Sequence, residues 1–415
     1  MTTLVETSDE EPTLAVARYV AQMAWADAGE DISEPAVAQY CAEAEDLMAA
    51  GRNVDLVSLL VTSADIVLSN ASDKDLECIF MVICNVAAKA TSEEEAMRMS
   101  SQITAALTAQ TSKAALKIKL LFHLYNTIKK APYARFLLYR RLLEFAIAAK
   151  VTDLVTPSLK RLEAFLKEWN VTVQDQRGLY LTATNLLREG RGSAAAKESF
   201  NFLLKFLSTF SGEDPQRLAD VREYAVRAAV EYIKATDIFQ CDLLDMAAVC
   251  QLESDPDYAH VYRLLKIFLT RKLDAYLVFV DEMGVAVIEA LGLNHEECVT
   301  KMRLMSLAAL GVEAPNGEIP YDVIRRNLEI DEDEVEMWVV RAISVKLLEA
   351  KMDQMREVVV VNRCLQRVFG PSQWVDLRAK LLQWRENLAS VVRIVHHARV
   401  DGNGVPRELQ QQVTA

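Results

Sequence analysis

Between residues 50 and 212 the chain breaks at nearly even steps of about twenty residues. The turn-forming positions are Gly51, Asn70, Thr91, Thr111, Ala131-Pro132, Val151-Thr152, Asn170, Gly190 and Gly212. Between them the apolar spacing is helical: Leu56, Leu59 and Leu60 lead past Ser63 into Ile66 and Val67, and Leu116, Leu120, Leu121, Leu124 and Ile128 form a second stripe. A helix of about four to five turns plus a short connection fills one step. Two steps make a hairpin of about forty residues, the period of right-handed HEAT-like and TPR-like solenoids, in which each pair buries its apolar face only against its neighbours. The scarcity of turn formers supports long helices, since the 415 residues include only 13 Gly and 10 Pro. No residue-level repeat accompanies the rhythm, so the repeat is architectural.

After Gly311 the pattern changes. Pro315-Asn316-Gly317 reads as a turn, 321–328 as a short helix and 331–347 as a longer one with Val335, Val339, Ala342, Ile343 and Leu347 on one face. Lys351-Met352-Asp353-Gln354 then forms a polar break before Val358, Val359, Val360 and Val361, four β-branched residues that predict a strand. With a first helix at 296–310, this is the helix order and β-hairpin of a winged helix. A last helix is predicted from Ser372 to about Ala398. Its apolar positions Trp374, Leu377, Leu381, Trp384, Leu388, Val391 and Val395 follow a strict 3-4 alternation, a two-position heptad seam. The expected organisation is an acidic disordered N-terminus at 1–12, a helical-repeat solenoid at 13–295, a winged helix at 296–370, a C-terminal heptad helix at 371–400 and a disordered tail at 401–415.

Charge limits the function classes. The net charge of −13 disfavours a generic nucleic-acid or anionic-membrane binder. One segment is an exception: residues 113–161 hold eleven basic side chains against Glu144 and Asp153, with Phe122, Tyr125, Tyr133, Phe136 and Tyr139 interleaved. Within it Lys129, Lys130, Arg135, Arg140 and Arg141 fit a contact to RNA or to an acidic partner; the plainer alternative makes the rings core and the cations a solvated face. In the winged helix, the helix that would enter a DNA groove begins Asp331-Glu332-Asp333-Glu334-Val335-Glu336, and its five carboxylates repel phosphate, so no DNA is expected there. The Val358–Val361 strand is expected to offer a free edge to a neighbouring strand, the alternative being that it closes its own small sheet. The C-terminal seam, flanked by Arg378, Lys380, Arg385, Arg393 and Arg399, suits a partner helix with acidic flanks, the alternative being a fold-back onto the winged helix.

Catalysis, cofactors and metals are not expected. His295-Glu296-Glu297-Cys298 lacks the second His of a zinc helix and reads as a helix start. Asp401-Gly402-Asn403-Gly404 lacks the later Glu of a calcium loop, and Gly190-Arg191-Gly192-Ser193 lacks the Lys of a phosphate cradle. Seven cysteines without C-x-x-C spacing read as reduced thiols. The acidic first twelve residues have neither the basic nor the apolar part of a secretion signal, and the strongest apolar run, 78–88, is too short for a membrane span. A cytoplasmic protein is expected.

A helical solenoid running into a winged helix resembles the PCI architecture, shared by scaffold subunits of the proteasome lid, the signalosome and eukaryotic initiation factor three. The resemblance rests on Ile319-Pro320-Tyr321-Asp322-Val323-Ile324, Leu328-Glu329-Ile330, the run Glu334 through Ile343, and Lys351 to Gln354 before the valines. Leu291-Gly292-Leu293-Asn294, Lys301-Met302-Arg303-Leu304, Phe369-Gly370, Gln373-Trp374 and Glu168-Trp169-Asn170 are similar, more narrowly, to the subunit M family of that factor. The resemblance implies a non-catalytic scaffold in translation initiation that joins other PCI subunits through its winged helix, sends its C-terminal helix into a shared bundle, and meets the small ribosomal subunit. Scaffold membership of the signalosome or lid, and a winged-helix nucleic-acid-binding regulator, are the alternatives.

Overall fold

The computed structural model describes residues 11–26, 30–190, 192–314, 317–367 and 370–401. The expected disordered termini, apart from Glu11, Pro12 and Asp401, lie outside these residues, as do Arg191, Pro315, Asn316 and Phe369 of the motifs above. The described residues form 22 α-helices and one three-stranded sheet, grouped into two compact units, Met1–Tyr224 and Ala225–Ala415.

In the first unit the predicted rhythm is the observed one. Helices Asp73–Ala88, Glu93–Thr108, Ala114–Thr127, Pro132–Ala148, Val173–Glu189 and Ser193–Ser208 stop and start at the expected breaks. Their starts are held by short side chains: Ser72, Ser92 and Thr172 accept from the backbone N–H of Asp75, Glu95 and Asp175 at 3.2–3.3 Å. Glu95 in turn accepts from the N–H of Thr91 at 3.0 Å. Each such cap satisfies an orphan donor and stabilises its helix by about 1 kcal/mol.

Two steps are subdivided. The expected stripe through 56–67 is two helices, Asn53–Thr62 and Ala64–Asn70, so Ile66 faces solvent and Leu59 is half-buried while Leu56, Val57, Leu60, Ala64, Val67 and Leu68 form the buried face. Thr62 donates its hydroxyl to the Ser58 carbonyl at 2.7 Å, the back-bonding that bends helices at such positions. The step from 152 to 169 is likewise divided, with Pro157 in the first turn of Thr156–Leu159 and a regular helix only at Leu162–Trp169.

Helix C-termini share one solution. Few end in glycine, and several are closed by a cation reaching from elsewhere in the same unit. Lys113 donates to the Ala71 carbonyl at 2.9 Å, and Arg177 to Thr209 O at 2.7 Å. Arg303 donates to the carbonyls of Leu328 and Glu329, both at 2.9 Å, and Arg367 to those of Phe268 and Arg271 at 3.2 and 2.5 Å. Lys301 is the most enclosed of them, 4% exposed, donating to Tyr232 O and, at 2.6 Å, to Ala235 O, with its ammonium 4.3 Å from the Tyr232 ring centre. Each closure pairs positive charge with the negative end of a helix dipole.

The winged helix lies in the second unit. His295–Glu313 begins at the Asn294 cap, with the His295 ring stacked on Tyr276. Strand β1 (Glu318–Pro320), helix Tyr321–Leu328, helix Val335–Ser344, strand β2 (Leu348–Asp353) and strand β3 (Val358–Cys364) follow. The long helix expected at 331–347 is shorter: a 3-10 turn occupies 332–334, and Lys346, at φ 61, ends the element. The expected polar break at 351–354 is mostly strand, because β2 alternates between a packed face at Leu348 and a wet one at Glu349 and Lys351. The sheet order is β1-β3-β2, all antiparallel, with Val359, Ile319 and Leu348 on its buried face. Gly317 has φ 76, and a Cβ there would lie 2.9 Å from Val361 O, so only glycine lets β1 begin so close to β3.

Burial lowers the Lys301 ammonium to about 7. In the unfolded chain it keeps its proton to about pH 10.4, so between the two values the unfolded state holds one proton more and stability rises with pH. The thiols of Cys84, Cys241, Cys250, Cys298 and Cys364, all raised by burial, act in the opposite sense as the pH approaches about 8.5, so the contribution of Lys301 is isolated by comparison with Lys301→Met. From about pH 7 to 8.5, urea unfolding should show the full chain gaining about 1.5 kcal/mol relative to Lys301→Met; parallel profiles for the two proteins would remove Lys301 as a source of pH-dependent stability.

Candidate functional site: the C-terminal helix and the winged sheet

The C-terminal helix runs over Pro371–Asp401, 31 residues and about 46 Å of length. Every seam position faces solvent: Leu377 is the least exposed at 37% and Trp384 the most at 71%, with Trp374, Leu381, Leu388, Val391 and Val395 between. The fold-back alternative therefore does not hold in this structure. Four apolar residues outside the heptad reading are also bare: Val375, Leu382, Val392 and Ile394. At about 100° per residue, Val392 falls within the seam, whereas Val375 and Leu382 stack on a second face roughly 100–150° away. A helix apolar on two sides fits between two neighbours rather than against one. The signal for the second face was the seven-residue interval between Val375 and Leu382.

The strand result corrects the expectation of a free valine edge. Val358, Val359 and Val360 pair with Pro320, Ile319 and Glu318 on one side and with Asp353, Met352 and Lys351 on the other; Val361 pairs with Ala350. β3 is thus the central strand, and the sheet's outer strands are β1 and β2. The physical reason is β1, three residues whose Ile319 is anchored in the core; so short a segment has no periodicity to read. The register jumps from Arg363 opposite Glu349 to Val361 opposite Ala350, so the irregularity places an extra residue, Asn362, in β3 and leaves β2 continuous.

The exposed carboxylates Asp331, Glu332, Asp333 and Glu334 precede helix Val335–Ser344, three of them in the 3-10 turn, and Glu336 in its first turn is half-buried. Glu332 lies 3.8 Å from Arg325, and Glu336 accepts from Gln354 at 2.8 and 2.9 Å.

The basic segment is partly neutralised by its own unit, with five of its eleven cations in ion pairs. Lys113 pairs with Asp73 at 3.0 Å, Lys119 with Glu77 at 2.5 Å, and Arg135 with Glu168. Arg140 and Arg141 both bind Glu144, at 3.1 and 3.0 Å. Lys117 is buried and donates to Gln110 O at 2.7 Å, and burial pushes its ammonium below the usual range. Lys129 and Lys130 are exposed and have no ion pair among the described residues. The interleaved rings are core: Tyr125, Phe136 and Tyr139 join Phe165 and Trp169 with ring centres 5.4–6.2 Å apart, and Arg135 covers Tyr125 at 4.3 Å. Only Tyr133 of the large rings in this stretch is exposed. A base-stacking platform is therefore not what these aromatics build.

Among the described residues, no group of three or more His, Cys, Asp or Glu could hold a metal, and no helix is long and apolar enough to cross a membrane.

Comparison with known proteins places this geometry. The family model described as PCI domain matches residues 280–363, and the one described as eIF3 subunit M, C-terminal helix, matches residues 367–395. The chain is 34% identical over 374 residues to a Dictyostelium discoideum protein, covering 88% of this chain and 90% of that one. It is 28% identical over 403 residues to a Phaeosphaeria nodorum protein, covering 95% and 88%, and 27% identical over 349 residues to a human protein, covering 84% and 89%. All three are named eukaryotic translation initiation factor 3 subunit M.

Since the seam is bare, the body of the protein does not depend on it. Deleting residues 371–415 should shift the thermal midpoint of the remaining chain by less than about 2 °C, within the shift of a sub-kilocalorie change for a body of this size. A larger fall, measured by circular dichroism, would mean that the helix packs on the body in solution.

Proposed function

The chain belongs to the eukaryotic translation initiation factor 3 subunit M family, and on that premise we propose that it is a non-catalytic scaffold subunit of the initiation factor 3 complex. It supports assembly of that complex and its binding to the small ribosomal subunit during translation initiation, in the cytoplasm. The observation that carries this reading is the C-terminal helix: long, apolar on two sides, exposed, and spanned by a family model specific to this subunit. Trp374, Leu377, Leu381, Trp384, Leu388, Val391 and Val395 are the proposed contacts to partner helices, with Val375 and Leu382 meeting a second neighbour.

The winged helix joins another PCI subunit through the sheet. With Val358, Val359, Val360 and Val361 paired on both sides, the strand offered is the outer one, β2, and the valines act by stiffening the sheet behind it. Lys129 and Lys130, exposed and without an ion pair among the described residues, are offered to RNA or an acidic partner in this scheme. The relatives' common name does not favour the signalosome and lid alternatives. The acidic start of helix Val335–Ser344 disfavours a nucleic-acid regulator.

Affinity purification of the tagged chain from cytosol, with mass spectrometry of what co-elutes on sizing, should recover the other initiation factor 3 subunits and small-subunit ribosomal proteins. Trp384→Asp with Leu388→Asp should lower that recovery at least tenfold, because both remove an apolar anchor and bury a charge in the bundle, while the thermal midpoint stays put. Undiminished recovery by the doubly substituted chain would refute the bundle; recovery with lid or signalosome subunits would refute the complex.

A further inference from the structure

Helix Glu93–Thr108 lies between two hollows. One, of about 510 Å³, separates it from helix Pro132–Ala148; the other, of about 320 Å³, separates it from helices Asn53–Thr62 and Ala64–Asn70. The helices pack side by side in that order, and the hollows share Ala105, so they form one shallow trough across three helices.

Three features point to a ligand. The floor is small and polar where a solenoid flank is ordinarily filled by longer side chains: Ser101, Thr104 and Thr108 line the larger hollow. Two buried polar atoms have no partner: Oγ1 of Thr104, a residue only 5% exposed, and Oε1 of Gln102 on the opposite flank. Such groups are costly unless something else satisfies them. Finally, the wall holds a preset pair of cations. Glu144 accepts from Nε of Arg140 and Nη1 of Arg141, fixing two guanidiniums beside each other while their other N–H groups are left for a further acceptor.

We propose that this trough binds an extended peptide of a protein partner, with an acidic residue seated on Arg140 and Arg141. Helices at 8–10 Å spacing make the trough about 20 Å across, which about six extended residues span. An extended chain brings free N–H and C=O groups that the enclosed Thr104 hydroxyl and Gln102 carbonyl meet on turning toward the trough; a docked helix has spent its own internally. Asp65, which lines the far hollow, sets the polarity: acid is accepted at the Arg140–Arg141 end and repelled at the other. RNA fits less well, since Tyr125, Phe136 and Tyr139 are buried and offer no face for a base to stack on. The trough is built from residues of the first unit alone and uses none of the C-terminal helix, so its test is independent of the assembly proposal.

The test uses the full chain and an array of Ser/Ala hexapeptides carrying an Asp-Glu pair at each register, read by fluorescence anisotropy alongside a Lys-Lys array and an oligouridine of six nucleotides. Register-dependent binding of the Asp-Glu peptides is expected, weakened about tenfold by Arg141→Glu, a substitution at a side chain 70% exposed and therefore tolerated by the fold. Thr104→Val, which keeps the shape and removes the hydroxyl, should weaken binding severalfold with the thermal midpoint unchanged or raised. No binding up to about 1 mM, equal binding of the Lys-Lys peptides, indifference to Arg141→Glu, or preference for the oligouridine would each overturn the proposal.

Discussion

A helix ends with carbonyl groups that nothing inside it can satisfy, and a protein made almost wholly of helices must solve that problem at every turn. Glycine is the usual device, because it reaches the left-handed conformation that closes the last turn. This chain has 13 glycines, too few for its helices, and it uses cations instead. Lys113, Arg177, Lys301, Arg303 and Arg367 each leave one element and close the end of another in the same unit. The arrangement does more than satisfy acceptors. It ties these five helix ends to other elements of their unit, where apolar stripes fix how helices lie alongside but leave their ends free to slide. Lys301 is the extreme case, an ammonium so enclosed that its proton has become conditional.

How much of this could be read from the chain depended on range. The twenty-residue rhythm and the start of the helix at Asn294-His295 are local, and both are legible. The Ser72, Ser92 and Thr172 caps went unread, although each is a hydroxyl three residues before a carboxylate; the turn signals placed those breaks without them. Pairing across the fold was not legible. The excess of cations at 113–161 is visible by counting, but that Asp73, Glu77 and Glu168 answer three of them from other helices is not. Nor can a run of valines say whether a strand is central or outermost; that depended on Ile319, one buried residue in a strand of three. The C-terminal seam was legible because a heptad is a statement about a single helix, and its exposure was not, because burial is a statement about everything else.

The two proposed surfaces use opposite chemistry. The C-terminal helix offers large apolar side chains with no pocket, which suits lasting assembly with other helices. The trough offers small hydroxyls, a fixed pair of guanidiniums and shallow walls, which suits a weaker, exchangeable segment. The body between is the part whose stability is self-contained: buried rings from Tyr125 to Trp169 in the first unit and a sheet backed by His295–Glu313 in the second.

The bare helix also has a meaning for a cell that makes this chain in excess. Eleven large apolar side chains stand in water along Pro371–Asp401, more than a soluble monomer ordinarily leaves contiguous. Because the folded body does not need them covered, their coverage reports one thing alone, whether neighbours have been found. A surplus copy is well folded and still displays the same surface that chaperones and degradation machinery recognise in unfolded chains. Under the proposed assembly role, mass action against its partners sets the fraction of copies whose helix is covered.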